Sequence, residues 1–473
     1  MKSPILLRAS FCLPVLAGTL LTASCTWTQR PQSAIKTPAA WQQAPGASLK
    51  PLDTAHLARW WTRFNDPVLD RIIADALQSS PDVRTTLARI DEARARRGVT
   101  RAALFPSLNG DVSGQGARSE NRRTGVSTSD SYGADVTMSW EIDLSGKLRQ
   151  NLRASSADLA QAEENYHAAQ VTLAAAVAES YVDLRAAEGQ LAVYERNLAA
   201  RSDTVQITRW KQQAGETNVF ETQQASSSLE LARATIPTLK LAITQAKNRL
   251  TLLSGKTPGS LDTLLAKPRQ VPKPSSMLAI GIPSDTLRQR PDVRAAQRAV
   301  EAAAARRKSA ERQQLPTLTL NGDLGTTATR VASFLSPETA AASIAGSLAA
   351  PIFNAGRIRQ TIYAQSAVEK QALIAYEAMV LTALSEVENA LASIRRTRER
   401  LITLGDAIVS AREAATLAAQ SFEAGQADLL QVLDTQRTLL SLEEQQTLTL
   451  GTNASAHIQL YRALGGGWSK QGS

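Results

Sequence analysis

Two hydrophobic rhythms alternate along the chain. Over residues 132–144, "YGADVTMSWEIDL", Tyr132, Ala134, Val136, Met138, Trp140, Ile142 and Leu144 share one face, while Gly133, Asp135, Thr137, Ser139, Glu141 and Asp143 share the other. A period of two predicts a strand that is apolar on one side and acidic or polar on the other. Residues 107–116 alternate more weakly, with Leu108 and Val112 separated by Asn109, Asp111 and Ser113. The intervening "ARSENRRTGVSTSDS" reads as a polar loop, so one hairpin is expected, with strands at about 106–118 and 131–144. A second is expected with strands at about 316–328 and 340–352, where Leu318, Leu320 and Leu324 share a face, as do Ile344, Leu348 and Ile352.

Elsewhere the period is helical. Asp66 and Pro67 fit the N-cap and first position of one helix, and Ser80 before Pro81 starts another that runs to about Leu104. From Gly146 to about Thr208 no proline interrupts Ala, Leu, Glu, Gln and Arg, which implies a rod of roughly 90 Å. The stretch from Gly356 to about Phe422 has the same character. Glycines at Gly215 and Gly425 then break each rod, and a further helix follows each break, to Gly255 and Gly465.

These paired features are copies. "PDVR" stands at 81–84 and again at 291–294, and Ala93, Arg96, Pro106, Gly146, Arg149, Gly215 and Gly255 all meet the same residue type at that offset. One offset held across nearly the whole chain means a duplicated unit. The Asn-Gly-Asp of the first hairpin recurs two residues late, at 321–323, so the hairpins are not strict copies. The organisation expected is a signal at 1–24, a tether at 25–52, repeat 1 at 53–265, repeat 2 at 266–468 and a tail at 469–473.

Each predicted strand has about the ten residues of a tilted bilayer crossing. Four strands cannot close a barrel, since single-chain barrels start at about eight, and an open edge in lipid leaves backbone groups unpaired. Other copies of the chain must then complete the sheet; a trimer supplies twelve strands. The alternative is a small water-soluble sheet covered by helices, for which these helices are too long.

Hydrophobic residues make up 43% of the chain and aromatics only 4%, so Ala and Leu supply the apolar surface, which suits close helix packing. The net charge of +10 reads as spread through helices, with Arg among Glu and Asp and no basic block of nucleic-acid type. The N-terminus has Lys2 and Arg8, an apolar stretch from Phe11 to Leu21, and small residues before Cys25, which is a secretory signal. Cys12 leaves with it, so the mature chain keeps one thiol. "TASC" resembles a lipobox with Thr22 where Leu is usual; Cys25 then carries lipid, or the signal is an ordinary one cleaved near Ala23 or Ser24. Thr26 in place of Asp resembles outer-membrane sorting.

No catalytic constellation emerges. His56, His167 and His457 have no metal spacing, and "GGGW" at 465–468 ends a helix instead of opening one after a strand. No enzyme, cofactor or metal is expected.

The segments "WWTRFNDPVLDRIIADALQSSPDVR", "LFPSL", "GETNVFETQQASSSLELARATIPTLKLAITQAKNRLTLLSGKTPG" and "FEAGQADLLQVLDTQRTLLSLEEQQ", followed by "HIQLYRALGGGW", resemble the TolC family of outer-membrane efflux channels, in its lipoprotein, NodT-like or OprM-like branch. The resemblance spans residues 53–468 and implies an α+β membrane protein: a homotrimer with a twelve-stranded β-barrel and a long α-helical barrel. It also implies outer-membrane lipid as surroundings, a periplasmic adaptor and an inner-membrane pump of RND type as partners, and export of small molecules; protein secretion or metal efflux is the alternative. The same resemblance places a periplasmic gate where the helices after Gly215 and Gly425 converge. There Asp434 matches a ring of carboxylates, while a second acidic position is Gln431, a closing Arg is Ala427, and a hydroxyl-bearing aromatic is Phe422. Glu221 matches a latch carboxylate, yet "NVFE" from Asn218 and "DLLQ" from Asp428 also fit capping boxes with Glu221 and Gln431 at N3.

Overall fold

The computed structural model describes residues 38–43, 57–123, 125–274, 283–333, 336 and 340–469. They belong to one compact unit, Thr37–Ser473. Cys25, the signal, His56 and most of the tether lie outside the described residues.

After a 3₁₀ turn at Trp60–Phe64 come α1 (Pro67–Ser79), α2 (Pro81–Ala102), β1 (Ser107–Asn121), β2 (Gly125–Ile142), α3 (Lys147–Gln213) and α4 (Val219–Leu253). The second half gives α5 (Pro283–Gln289), α6 (Pro291–Arg312), β3 (Thr317–Ala328), β4 (Ala340–Ala349), α7 (Arg357–Glu423) and α8 (Leu429–Ala463), with a short 3₁₀ turn between β3 and β4. Asp66 caps α1 as expected, its Oδ1 accepting the Val68 amide at 2.9 Å with Pro67 at the first position. Ser80 precedes α2 without a side-chain cap, so there the proline alone sets the start.

The long helices α3 and α7 have 67 residues each, about 100 Å at 1.5 Å per residue. Helix α3 packs against α2 and α6 and, farther from the sheet, against α4 and α8. Each shorter pair meets end to end beside a long helix: a Cβ on Gly255 would strike the Ser79 carbonyl, and one on Gly465 the Arg290 backbone. At that level lies the main core. Trp60, Leu69, Ile72, Ile73, Tyr181, Leu184, Leu250, Ile458 and Leu460 are all essentially inaccessible, and Trp60 stacks on Tyr461 at 5.4 Å. A smaller cluster of Val205, Ala225, Leu229, Ala418, Phe422, Leu429, Val432 and Leu433 ties the far ends of the helices together.

Buried polar groups pin the main core. The Tyr181 hydroxyl donates to Asp66 Oδ2 at 2.5 Å, and Arg269 donates to Asp66 Oδ1 at 3.2 Å. Fully buried Arg185 lies over the Tyr181 ring at 4.7 Å and donates to Glu188 at 2.6 Å and to the Lys267 carbonyl at 3.2 Å. The connection after α4 is thereby fastened to α1 and α3.

The sheet is antiparallel in the order β1-β2-β3-β4. The expected loop at 117–131 is mostly strand: Ala117–Asn121 pair with Gly125–Ser129, and only a tight turn remains. Main-chain pairing needs no hydrophobic alternation, so this polar extension carried no strand signal.

Candidate functional site

Opposite residues of antiparallel strands share a face, so the register reveals the two sides of the sheet. One row runs Leu108–Met138–Gly322–Ile344 and the next Gly110–Val136–Leu324–Ala342. The intervening row on the other side runs Asn109–Thr137–Asp323–Ser343, and beyond it stand Asp111 and Asp135, directly opposed. Gly325 faces Asp135, and a Cβ there would occupy the space the carboxylate fills. Apolar residues on the first side are bare: Val112 is 81% exposed and Ile344 73%. Along β2 the apolar row from Tyr132 to Ile142 takes ten steps, which at about 3.3 Å and a tilt near 40° gives a band about 25 Å tall. Trp140, next to last in the row, donates its Nε1 hydrogen to the Leu104 carbonyl at 3.0 Å.

At the other end, α3 turns into α4 through Gly215 (φ 78°) and α7 into α8 through Gly425 (φ 72°). Both turns close alike, with Glu216 N–H on the Lys211 carbonyl at 2.9 Å and Gln426 N–H on the Ser421 carbonyl at 2.8 Å. A Cβ at either glycine would meet nothing, so the left-handed backbone is what demands glycine. Asn218 Oδ1 then accepts the Glu221 amide at 3.0 Å, and Asp428 Oδ1 the Gln431 amide at 2.9 Å. The N-cap half of each expected capping box is therefore present. The Glu221 carboxylate itself accepts the Thr217 hydroxyl.

The expected gate residues lie at this end but in different surroundings. Asp434 is 75% exposed on α8, with Gln431 exposed one turn before it. Phe422 is 4% exposed and packs inside the smaller apolar cluster, which gives it a packing role. Three features carried no clear sequence signal. Lys211 lies over the Phe422 ring at 4.4 Å and donates to the Phe422 carbonyl, joining the two turns. Arg201 is buried, donating to Asn197 at 2.6 Å and to the Ser228 carbonyl at 3.1 Å; burial and then the like charge of Arg437 hold its pKa below the usual value. Gln436 donates to Thr204 at 3.0 Å across the α3–α8 contact. Arg437, 3.9 Å from Asp434, was legible as an i,i+3 pair in "DTQR".

The outer membrane efflux protein model matches residues 72–256 and again residues 282–466. The chain belongs to this family. Its two matches repeat the duplication seen in the helices. This efflux protein is 30% identical over 466 residues to the pyoverdine export outer membrane protein OpmQ of Pseudomonas putida, covering 97% of each chain. It is 29% identical to the toluene efflux pump outer membrane protein TtgF, also of Pseudomonas putida, covering 86% of this chain and 85% of the other. The solved outer-membrane channel OprN superposes with a TM-score of 0.84 at 31% identity, over 92% of this chain and 98% of that one. The family comprises outer-membrane channel proteins with the TolC-like fold, in which the sheet belongs to the membrane and the helical ends to the periplasm.

Proposed function

We propose that this efflux protein is the exit duct of a three-part pump: three copies form a twelve-stranded barrel in the outer membrane, and their helices form a tunnel toward a periplasmic adaptor and an inner-membrane RND-type pump. The observation that carries this reading is the sheet. It is apolar and bare on one face and acidic on the other. Strands β1 and β4 stand at its two ends, so pairing continues only through another chain. In hydrocarbon each unpaired edge amide costs several kcal/mol, and sister copies remove that cost.

Asp434 is assigned to the constriction, where three copies around an axis bring carboxylates together and attract cations. Arg437 one turn away offsets part of that charge. Cys25 is assigned as the lipid attachment point that supplements the barrel. Cargo choice is assigned to the pump, because relatives of the same build carry names for pyoverdine export and for toluene efflux.

The test is reconstitution of the purified full chain in planar bilayers. A trimer-sized assembly with discrete conductance, and a loss of cation block in Asp434→Ala, are expected. A monomer soluble without detergent would overturn the duct; unchanged conductance and block in Asp434→Ala would remove only the gate assignment.

A further inference from the structure

The charge of the chain gathers at one rim of the sheet. Helices α2 and α6 end there and α3 and α7 begin there. The four fourteen-residue stretches adjoining this rim, 93–106, 143–156, 303–316 and 353–366, hold thirteen Lys and Arg against two acids, Asp143 and Glu311. That excess slightly exceeds the +10 of the entire chain. The described residues of the opposite rim, 116–123, 125–131, 328–333, 336 and 340, hold four Arg against two acids. Along the sequence the charges read as dispersed; the fold brings the four stretches together.

Eight of the thirteen are occupied within the chain, as in Lys147 with Glu141 at 2.7 Å and Arg149 with Asp143 at 3.0 Å. The side chains of Arg101, Arg153, Lys308, Arg357 and Arg359 are exposed and make no ion pair or hydrogen bond among the described residues. Between strands and cations lies a bare apolar collar: Phe105 is 58% exposed, Leu144 60%, Ile352 97% and Phe353 89%. Apolar band, apolar collar and then cations is the order in which a bilayer presents chains, interface and phosphates.

We infer that this rim is a docking surface for anionic phospholipid headgroups of the leaflet facing the helices, with the five unoccupied cations holding lipid phosphates. The inference rests on the membrane-spanning reading. Arg101 lies six residues before β1, and Arg357 and Arg359 follow β4 by eight and ten, so long side chains reach the surface. Each cation held near an anionic surface strengthens attachment by about fivefold. The opposite rim, with a far smaller excess of Arg over acids, gains less, so the charge also fixes which way the barrel faces.

The full chain, purified in detergent, is offered equimolar phosphatidylglycerol and phosphatidylcholine, and retained lipid is counted by mass spectrometry. Retention of phosphatidylglycerol about tenfold over phosphatidylcholine is expected. The preference should vanish when Arg101, Arg153, Lys308, Arg357 and Arg359 are all changed to Gln, and in wild type at 1 M salt, where the screening length is about 3 Å. The salt arm decides the matter even where the variant fails to assemble. Equal retention of both lipids by wild type overturns the inference, as does a preference that survives both treatments. A variant that keeps its lipid preference while its conductance changes ion selectivity places these cations in the lumen and also overturns it. Flotation with pure phosphatidylcholine vesicles reads membrane insertion separately. Protein that floats without lipid preference sinks this inference alone, and protein that does not float sinks the duct.

Discussion

Shifted by 210 residues, α2, α3 and α4 land on α6, α7 and α8 with identical lengths of 22, 67 and 35 residues, whereas β1 and β2 have 15 and 18 residues and β3 and β4 only 12 and 10. The long helices and those that follow them are held by glycine turns, side-chain caps and abutting helices. One inserted residue rotates everything beyond it by about 100° and carries buried positions into water. A strand is held only by parity and by the height of the apolar band. The Asn-Gly-Asp displaced by two residues shows this, because an even shift keeps every side chain on its own face. Length is constrained where helices pack and free where strands extend past the bilayer.

The largest effect should come from violating parity. Val136, near the middle of the apolar row, faces Gly110 and Leu324; Thr137 next to it faces Asn109 and Asp323. Val136→Lys is expected to cost about 2–4 kcal/mol in lipid, while Thr137→Lys on the polar face costs little. Unfolding of the reconstituted protein in denaturant measures both. Equal costs would show that the two faces do not meet lipid and water.

Next come the glycines, which separate the two kinds of constraint. At Gly255 (φ 64°) a Cβ would meet both the left-handed backbone and the Ser79 carbonyl, so Gly255→Ala should lose about 2–4 kcal/mol. At Gly215 and Gly425 only the backbone objects, and about 1 kcal/mol is expected from each. Thermal unfolding of the assembled protein should rank Gly255→Ala well below the other two. The caps offer a finer comparison: Asn218→Ala and Asp428→Ala should each cost about 1 kcal/mol, and a large inequality would mean that the copied turns carry unequal load.

Elements with a strong local period were legible before any coordinates. The expected Tyr132–Leu144 row is strand only as far as Ile142, while the Asp66 cap and the paired glycines stand where capping chemistry put them. What escaped depends on partners distant in sequence. Residues 117–121 are strand because 125–129 lie beside them, with polar residues on both faces. Phe422 is buried and bonded to Lys211, 211 residues away, which no local pattern encodes. Asp434 is exposed on α8 near the Gly425 turn, and the ring proposed for it needs carboxylates from other chains, which no pattern within one chain reveals.

The smallest effect concerns pH and again divides the copies. His457 on α8 is buried, its Nδ1 hydrogen-bonded to the Asn453 carbonyl at 2.8 Å; burial, reinforced by the like charge of Arg398 on α7, lowers its pKa. Its counterpart 210 residues earlier is Lys247, half-buried on α4. With the folded-state pKa below the ordinary histidine value of about 6.5, the unfolded chain takes up a proton first as pH falls. Histidine thus leaves stability untouched at neutral pH and withdraws it progressively as pH drops below about 6.5. His457→Gln should flatten that acid limb while changing stability little at pH 8, and Lys247→Gln should leave the limb as it is. Melting curves of the two variants between pH 8 and pH 5 decide it. If the limb persists in His457→Gln, it does not come from carboxylates such as Glu179 and Asp183, whose burial raises their pKa and so opposes acid destabilisation instead of causing it; a persistent limb would then require a titrating group elsewhere in the assembly.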